Sequence, residues 1–297
     1  MRTFGPWRRA LVRVGTLLFA GYAALLLLLL VGQRALIYLP SKAPEAELLR
    51  VAEMERVVPW RDKDGGILGW FRPRAAGEAQ AANRLVVFHG NAGYALNRTH
   101  FIEGFEGLDG GRVWQVYLFE YPGFGSRPGS PSEESITEAA VAAMETLGDG
   151  PPVYIVGESL GSGPASALAK RLSEKIAGVL LVTPYSSLVE VAAIHYPVVP
   201  VHWLLRDQWK NVEALASFPG RVAVMLAAED EVIPVEQGHR LFAVVNGVKR
   251  LWVMPGATHN GIDFAPDAGW WRQVSDFLLH GTMDVPPEVG KKVTRMP

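Results

Sequence analysis

No cysteine occurs among the 297 residues. Disulfides, thiolate metal sites and a cysteine nucleophile are therefore excluded, although the redox compartment is not fixed. An excess of either charge is lacking as well: 29 Lys and Arg face 30 Asp and Glu, for a formal net charge of −1. With no basic face dominating the total, nucleic acid is not an expected partner. The 31 Gly and 21 Pro form no repeats, so collagen-like or disordered chains are not indicated. What the chain has is a hydrophobic share of 49%. That is enough for a sizeable core, in a length that suits one large domain.

The N-terminus differs from everything after it. No charged residue occurs from Val14 to Gln33, and about 20 residues rising roughly 1.5 Å each span a bilayer core of about 30 Å. Arg2, Arg8, Arg9 and Arg13 precede this run, whereas only Arg34 and Lys42 follow it closely. The bias predicts a cytoplasmic N-terminus, with the remaining chain on the other face. A cleaved signal competes with this reading, as does a twin-arginine signal at Arg8-Arg9. However, Leu30-Val31-Gly32-Gln33-Arg34-Ala35 is a poor cleavage site, and Leu25 to Leu30 is more hydrophobic than such signals tend to be. A buried core helix is disfavoured because core helices rarely lack charge on every face. The segment is read as an uncleaved single-pass anchor.

Beyond it, a brief helix is expected over Ala43 to Leu49. Two strands, Glu55 to Trp60 and Gly66 to Arg72, flank an Asp- and Gly-rich turn and should pair antiparallel. A βα rhythm follows. Short apolar runs at Leu85–Phe88, Val113–Phe119, Val153–Val156, Val179–Val182, Val222–Leu226 and Leu251–Met254 read as strands buried on both faces. Helices are expected between them at Ser132–Leu147, Gly161–Glu174 and Pro234–Val245. In the first, Ser132 can cap, and Glu133 and Glu134 suit the first turn. The alternation predicts an α/β fold, a mostly parallel sheet covered by helices on both sides. Residues 185–218 interrupt the rhythm and read as a short cap insertion.

The chemistry centres on Gly157-Glu158-Ser159-Leu160-Gly161, a G-x-S-x-G element that follows a strand and opens a helix. Two glycines permit a sharp turn, and the helix N-terminus stabilises developing negative charge at Ser159. A serine nucleophile needs a base, and His259 lies just past the last strand. Glu229, Asp230 and Glu231 lie past the preceding one, and only one carboxylate can reach the imidazole; spacing does not choose among them. An oxyanion hole needs two backbone donors. Leu160 offers one N–H and Asn91, in His89-Gly90-Asn91-Ala92-Gly93, the other. Gly90 permits close approach of the backbone, and His89 is expected to brace that loop.

Five motifs in this order carry a resemblance: Phe88 to Gly93, Glu120-Tyr121-Pro122-Gly123-Phe124-Gly125-Ser126, Gly157 to Gly161, Asp230 to Pro234, and Pro255 to Asn260. Over residues 55–280 the chain resembles the α/β-hydrolase superfamily, more narrowly its membrane-anchored serine-aminopeptidase-like and ABHD-type branch. That resemblance implies a Ser159–Asp230–His259 triad, an oxyanion hole at Asn91 and Leu160, and no metal or organic cofactor. Two departures bear on subfamily rather than chemistry: Ala227 where a Gly is usual before the acid, and Tyr-Pro-Gly where many relatives have Tyr-Arg-Gly.

The expected organisation is thus a cytoplasmic basic segment and transmembrane anchor (1–34), a juxtamembrane linker (35–54), a hydrolase domain (55–280) and a tail (281–297). The expected activity is hydrolysis of a carboxylic ester or thioester, with a small-molecule or lipid-like acyl substrate, on the non-cytoplasmic side of the membrane. Peptide or amide cleavage by the same residues remains open, as does an inactive membrane-tethered binding protein.

Overall fold

The computed structural model describes residues 6–75 and 77–281. Arg2 and nearly all of the expected tail lie outside the described residues. The chain opens with α1 (Pro6–Ile37), within which Arg9–Ile37 is long and apolar enough to cross a membrane. Then come α2 (Glu45–Met54), β1 (Val58–Arg61), β2 (Ile67–Phe71), β3 (Asn83–Phe88), α3 (Thr99–Gly107), β4 (Trp114–Phe119), α4 (Glu133–Thr146), β5 (Val153–Glu158), α5 (Ser162–Arg171) and β6 (Ile176–Val182). The short helices α6 (Leu188–His195), α7 (Val201–Leu204) and α8 (Asn211–Leu215) form the insert. β7 (Arg221–Ala227), α9 (Val235–Val244), β8 (Lys249–Met254) and α10 (Trp270–His280) complete the chain.

All eight strands expected from the sequence form one sheet, in the order β1-β2-β4-β3-β5-β6-β7-β8. Only β2 runs against its neighbours, pairing antiparallel with both β1 and β4. Alternation within the strands explains the layering. Val86 and Phe88 of β3, like Val222, Val224 and Leu226 of β7, face a core shared with α4, α5 and α9. Leu85, Val87, Ala223, Met225 and Ala227 face the opposite core, shared with α2, α3 and α10. A parallel sheet covered on both faces needs such continuous apolar strands. α4 begins as expected: Ser132 caps it by accepting from Ser135 N at 3.0 Å.

Residues 35–54, expected as a linker, are more structured than that. α1 continues to Ile37, and α2 buries Leu48 and Ala52 against the sheet. α1 is also tied to the insert along its second half. Tyr22 donates to Val198 O at 2.7 Å, and Gln33 bridges to Leu204 O and Arg206 N. Arg34 forms a two-pronged pair with the buried Asp207 at 3.0 and 3.1 Å. Just past the helix, Trp209 Nε1 donates to Tyr38 Oη at 3.0 Å.

Candidate active site

Strand order reverses around β3, which lies between β4 and β5. In open α/β sheets the crevice at such a reversal, beyond the C-terminal strand ends, receives ligands. The β3 end leads into His89-Gly90-Asn91 and the β5 end into Ser159, so the fold brings these two expected loops side by side.

Ser159 sits on the turn with φ +51°, in the left-handed region that non-glycine residues rarely occupy. Such a conformation costs on the order of 1–3 kcal/mol and persists only where the surroundings enforce it. The flanking glycines do not supply the turn's unusual dihedral, contrary to the reading that they let it bend; they are needed for space. A Cβ on Gly157 would lie 2.6 Å from Gly161 O, and one on Gly161 would fall on the carbonyl of Phe88. The α5 N-terminus can therefore pass close over the β3 end only because both positions lack side chains. Ser162 Oγ holds the turn from below, donating to Ser159 O at 2.7 Å.

Three side chains from three separate strand ends form one hydrogen-bonded chain. The Ser159 hydroxyl lies 2.8 Å from His259 Nε2, and His259 Nδ1 lies 2.8 Å from Asp230 Oδ2. The His259 and Asp230 side chains are almost wholly buried. Asp230 Oδ1 accepts from Val232 N at 2.9 Å and Ile233 N at 2.7 Å, which orients the carboxylate toward the ring. Because a carboxylate only accepts, Nδ1 carries the proton and Nε2 is free to accept from Ser159. Of the three neighbouring carboxylates, Asp230 is thus the one on the imidazole. Glu231 is not merely solvated: its Oε2 accepts from the His259 backbone N–H at 3.0 Å. That bond holds the exposed Glu231 carboxyl below the ordinary glutamate range.

The β3 loop is braced from several sides. His89 is buried between Gly90 O (2.7 Å from Nδ1) and Glu120 Oε1 (3.2 Å from Nε2), and its ring stacks on Tyr121 with centroids 4.0 Å apart. Tyr121 Oη donates to His89 O at 2.6 Å. Sequence reasoning missed the partners Glu120 and Tyr121, although both belong to the Glu120–Ser126 motif. It also missed the ion pair between Arg98 and Glu158, which ties the segment after this loop to the residue before Ser159. Asn91 has a further attachment: its side chain donates to Ile37 O at 2.6 Å and accepts from Leu39 N at 2.9 Å. The oxyanion-loop candidate is therefore fastened to the end of α1.

Asn91, Ser159 and Leu160 border a cavity of about 270 Å³ whose remaining lining is mainly aliphatic, with Gln33, Tyr185, His195 and Tyr196 as its polar members, drawn from the insert, from Val232 and Ile233, and from α1. Among the described residues no cluster of three or more His, Asp or Glu side chains is arranged to hold a metal ion.

A family model described as alpha/beta hydrolase fold matches residues 83–207. An uncharacterized protein of Mycobacterium tuberculosis is 37% identical over 234 residues, covering 77% of this chain and 80% of that protein. The lysophosphatidylserine lipase ABHD12 of Mus musculus is 28% identical over 207 residues, covering 62% of this chain and 50% of its own length. Among solved structures, an esterase of Pyrococcus furiosus superposes with a TM-score of 0.60 at 14% identity, covering 82% of this chain and 97% of that one. Sheet order, elbow and sequence relatives agree: the chain belongs to the α/β-hydrolase family, alongside ABHD-type members.

Proposed function

We propose that this chain is a membrane-anchored serine hydrolase that cleaves a carboxylic ester or thioester of a lipid-like acyl substrate. The observation that carries this reading is the unbroken Asp230–His259–Ser159 chain of hydrogen bonds, with its serine end bordering an apolar cavity. His259 Nε2 takes the Ser159 proton as Oγ attacks the substrate carbonyl carbon, and Asp230 stabilises the imidazolium that forms. The tetrahedral oxyanion accepts from the backbone N–H groups of Leu160 and Asn91. Collapse breaks the bond to the leaving alkoxide or thiolate, which takes the proton from Nε2 and leaves an acyl-Ser159. Water then gives a proton to His259 as it attacks, and the carboxylic acid departs with Ser159 restored.

The apolar lining favours an acyl chain over a polar peptide, and the relative named as a lysophosphatidylserine lipase points to the same substrate class. An uncleaved anchor is supported by α1 itself, since removing it would strip a wall from the cavity and partners from Asn91 and Asp207. The arginines before the span favour a cytoplasmic N-terminus, with the hydrolase domain on the opposite side.

Labelling with a fluorophosphonate tests the reading. The expected result is a labelled band in the membrane fraction that disappears in Ser159→Ala. Folded protein that never labels would refute the activated serine, and a labelled band confined to the soluble fraction would refute the anchor.

A further inference from the structure

The cavity beside Ser159 takes part of its wall from a segment more than a hundred residues away in sequence: Leu29, Gln33, Leu36 and Ile37 of α1. These residues lie on the second half of the membrane-crossing helix. Leu26, Leu29, Leu30, Gly32, Gln33 and Ile37 are the less exposed positions there, and most of them are spaced by three or four, so one stripe of the helix faces the insert. Leu27, Leu28 and Val31 are exposed as lipid-facing residues are, whereas Leu36 lines the cavity with one side while 57% of its surface stays exposed. Across the cavity the insert contributes Val199 and the half-exposed Tyr196 to the lining, while Val198 and Trp203 stand 76% and 88% exposed. The bond from Tyr22 to Val198 O sets that part of the insert about three helical turns up α1 from Gln33. A helix at bilayer depth and an insert with bare aromatic and aliphatic side chains beside it thus flank one apolar cavity.

We propose that α1 is a wall of the acyl-binding pocket, with Leu29 and Leu36 setting acyl selectivity, and that the pocket receives a single-chain acyl ester directly from the bilayer. This inference rests on the serine hydrolase reading for its chemistry. The size of the pocket supports one chain rather than two. About 270 Å³ lies near the small end of ligand cavities, which run from roughly 300 to 1,000 Å³. Its contents are also consistent: leucine, isoleucine and valine dominate the lining, and several of its polar groups are already paired, Gln33 with Leu204 O and Arg206 N, His195 with Val232 O and Tyr185 with Leu160 O. An acyl chain lying along α1 would exchange lipid neighbours for protein ones without entering water.

The test uses the full chain in detergent or vesicles. Leu29→Trp and Leu36→Trp fill the pocket from the anchor side; Leu28→Trp, on the lipid-facing side at 69% exposure, is the control. Hydrolysis of an acetyl and a palmitoyl ester of the same alcohol is compared, together with a diacyl ester. The lining variants should lower the palmitoyl-to-acetyl ratio of kcat/KM by about tenfold or more, since a few methylenes of lost pocket are worth that much. The control should leave the ratio unchanged, and the diacyl ester should be a poor substrate throughout. If the Trp variants lose activity at both lengths, Leu29→Ala and Leu36→Ala must move the ratio toward the longer chain. Ratios unchanged in both variant sets would overturn the proposal while the hydrolase reading stands. If no ester is cleaved in a Ser159-dependent manner, it is the hydrolase reading that fails. Displacement of fluorescent cis-parinaric acid then reads the pocket alone: weaker binding by Leu29→Trp than by Leu28→Trp upholds the wall, and equal binding overturns it.

Discussion

The candidate catalytic corner and the cavity beside it are built in opposite ways. The corner is polar and short-ranged: each of its residues lies within a few positions of a strand end, and its side chains are aimed by one another and by nearby backbone. Asp230 is held by Val232 and Ile233, and Ser159 by its own turn. The cavity wall is apolar and long-ranged, assembled from α1 and the insert, which meet through Gln33, Arg34 and Tyr22. The corner demands placement within fractions of an ångström, which rigid strand ends provide. The wall demands only shape and the exclusion of water, which two adaptable elements can supply. The proposed chemistry thus sits on the sheet, and the proposed selectivity on the parts added around it.

If the corner works as a unit, disturbing its least exposed member should cost more than anything done to the wall. Asp230→Asn keeps the size of the side chain but removes the charge that stabilises the imidazolium and fixes its tautomer. A fall in kcat of roughly 10⁴-fold is expected, with KM little changed, by analogy with the same change in a Ser-His-Asp protease. A loss below about tenfold would mean that the hydrogen bond seen here does not organise catalysis. The measurement is steady-state hydrolysis of a short-chain ester, with near-native thermal unfolding as the control for folding.

The seam on the wall side should respond in stability before it responds in chemistry. Arg34→Ala leaves Asp207 buried, with a side chain only 3% exposed, and without its cation. Because the Arg34 side chain is itself 47% exposed, water screens part of the pair. The expected destabilisation is therefore about 1–3 kcal/mol rather than the larger cost of a fully buried pair. Thermal unfolding in detergent reads it, and Arg34→Ala/Asp207→Ala should recover part of the loss. An unchanged midpoint in Arg34→Ala would mean that the seam does not hold α1 to the insert.

The same contrast explains what could be read from the sequence. Strands such as Leu85–Phe88 and Val179–Val182 announce themselves by continuous apolar runs, and the sheet followed from them. Ser159, His259 and the carboxylate cluster lie beside strand ends, where local spacing carries the signal; choosing Asp230 among three acids required geometry or resemblance. Helix α3 was hidden because Gly104 and Gly107 lower its helical propensity. Gly104 is there because a Cβ would fall on the Trp271 ring of α10. α10 was not named either, although its signal was present: Trp270, Trp271, Val274, Phe277 and Leu278 repeat at helical spacing, and Gly281 closes the helix at φ +74°. The role of α1 was the least readable part. A run of leucines is apolar on every face, so nothing in its periodicity marks the side that meets the insert. One signal was available: Tyr22 and Gln33, two polar-tipped residues of the span, lie about three turns apart and hence on one face.

The finest division within the corner is between adjacent carboxylates, and it gives the smallest expected effect. Asp230 meets the imidazole ring, while Glu231 meets the backbone N–H of the same His259. Because that N–H donates to the carboxylate, the Glu231 carboxyl sits below its ordinary value of 4.5. Its folded pKa being lowered, it stabilises the His259 loop above pH 4.5, and that contribution fades as pH falls through the lowered value. Glu231→Gln retains an acceptor oxygen but not the charge. At neutral pH the variant should therefore lose no more than about threefold in kcat/KM, the scale of a weakened charge-assisted bond at an exposed site. On acidification its thermal midpoint should fall less steeply than that of the wild type, since it has no such proton to take up. If Glu231→Gln instead cost as much as Asp230→Asn, the two carboxylates would act as one unit, and the division of labour between ring and backbone would not hold.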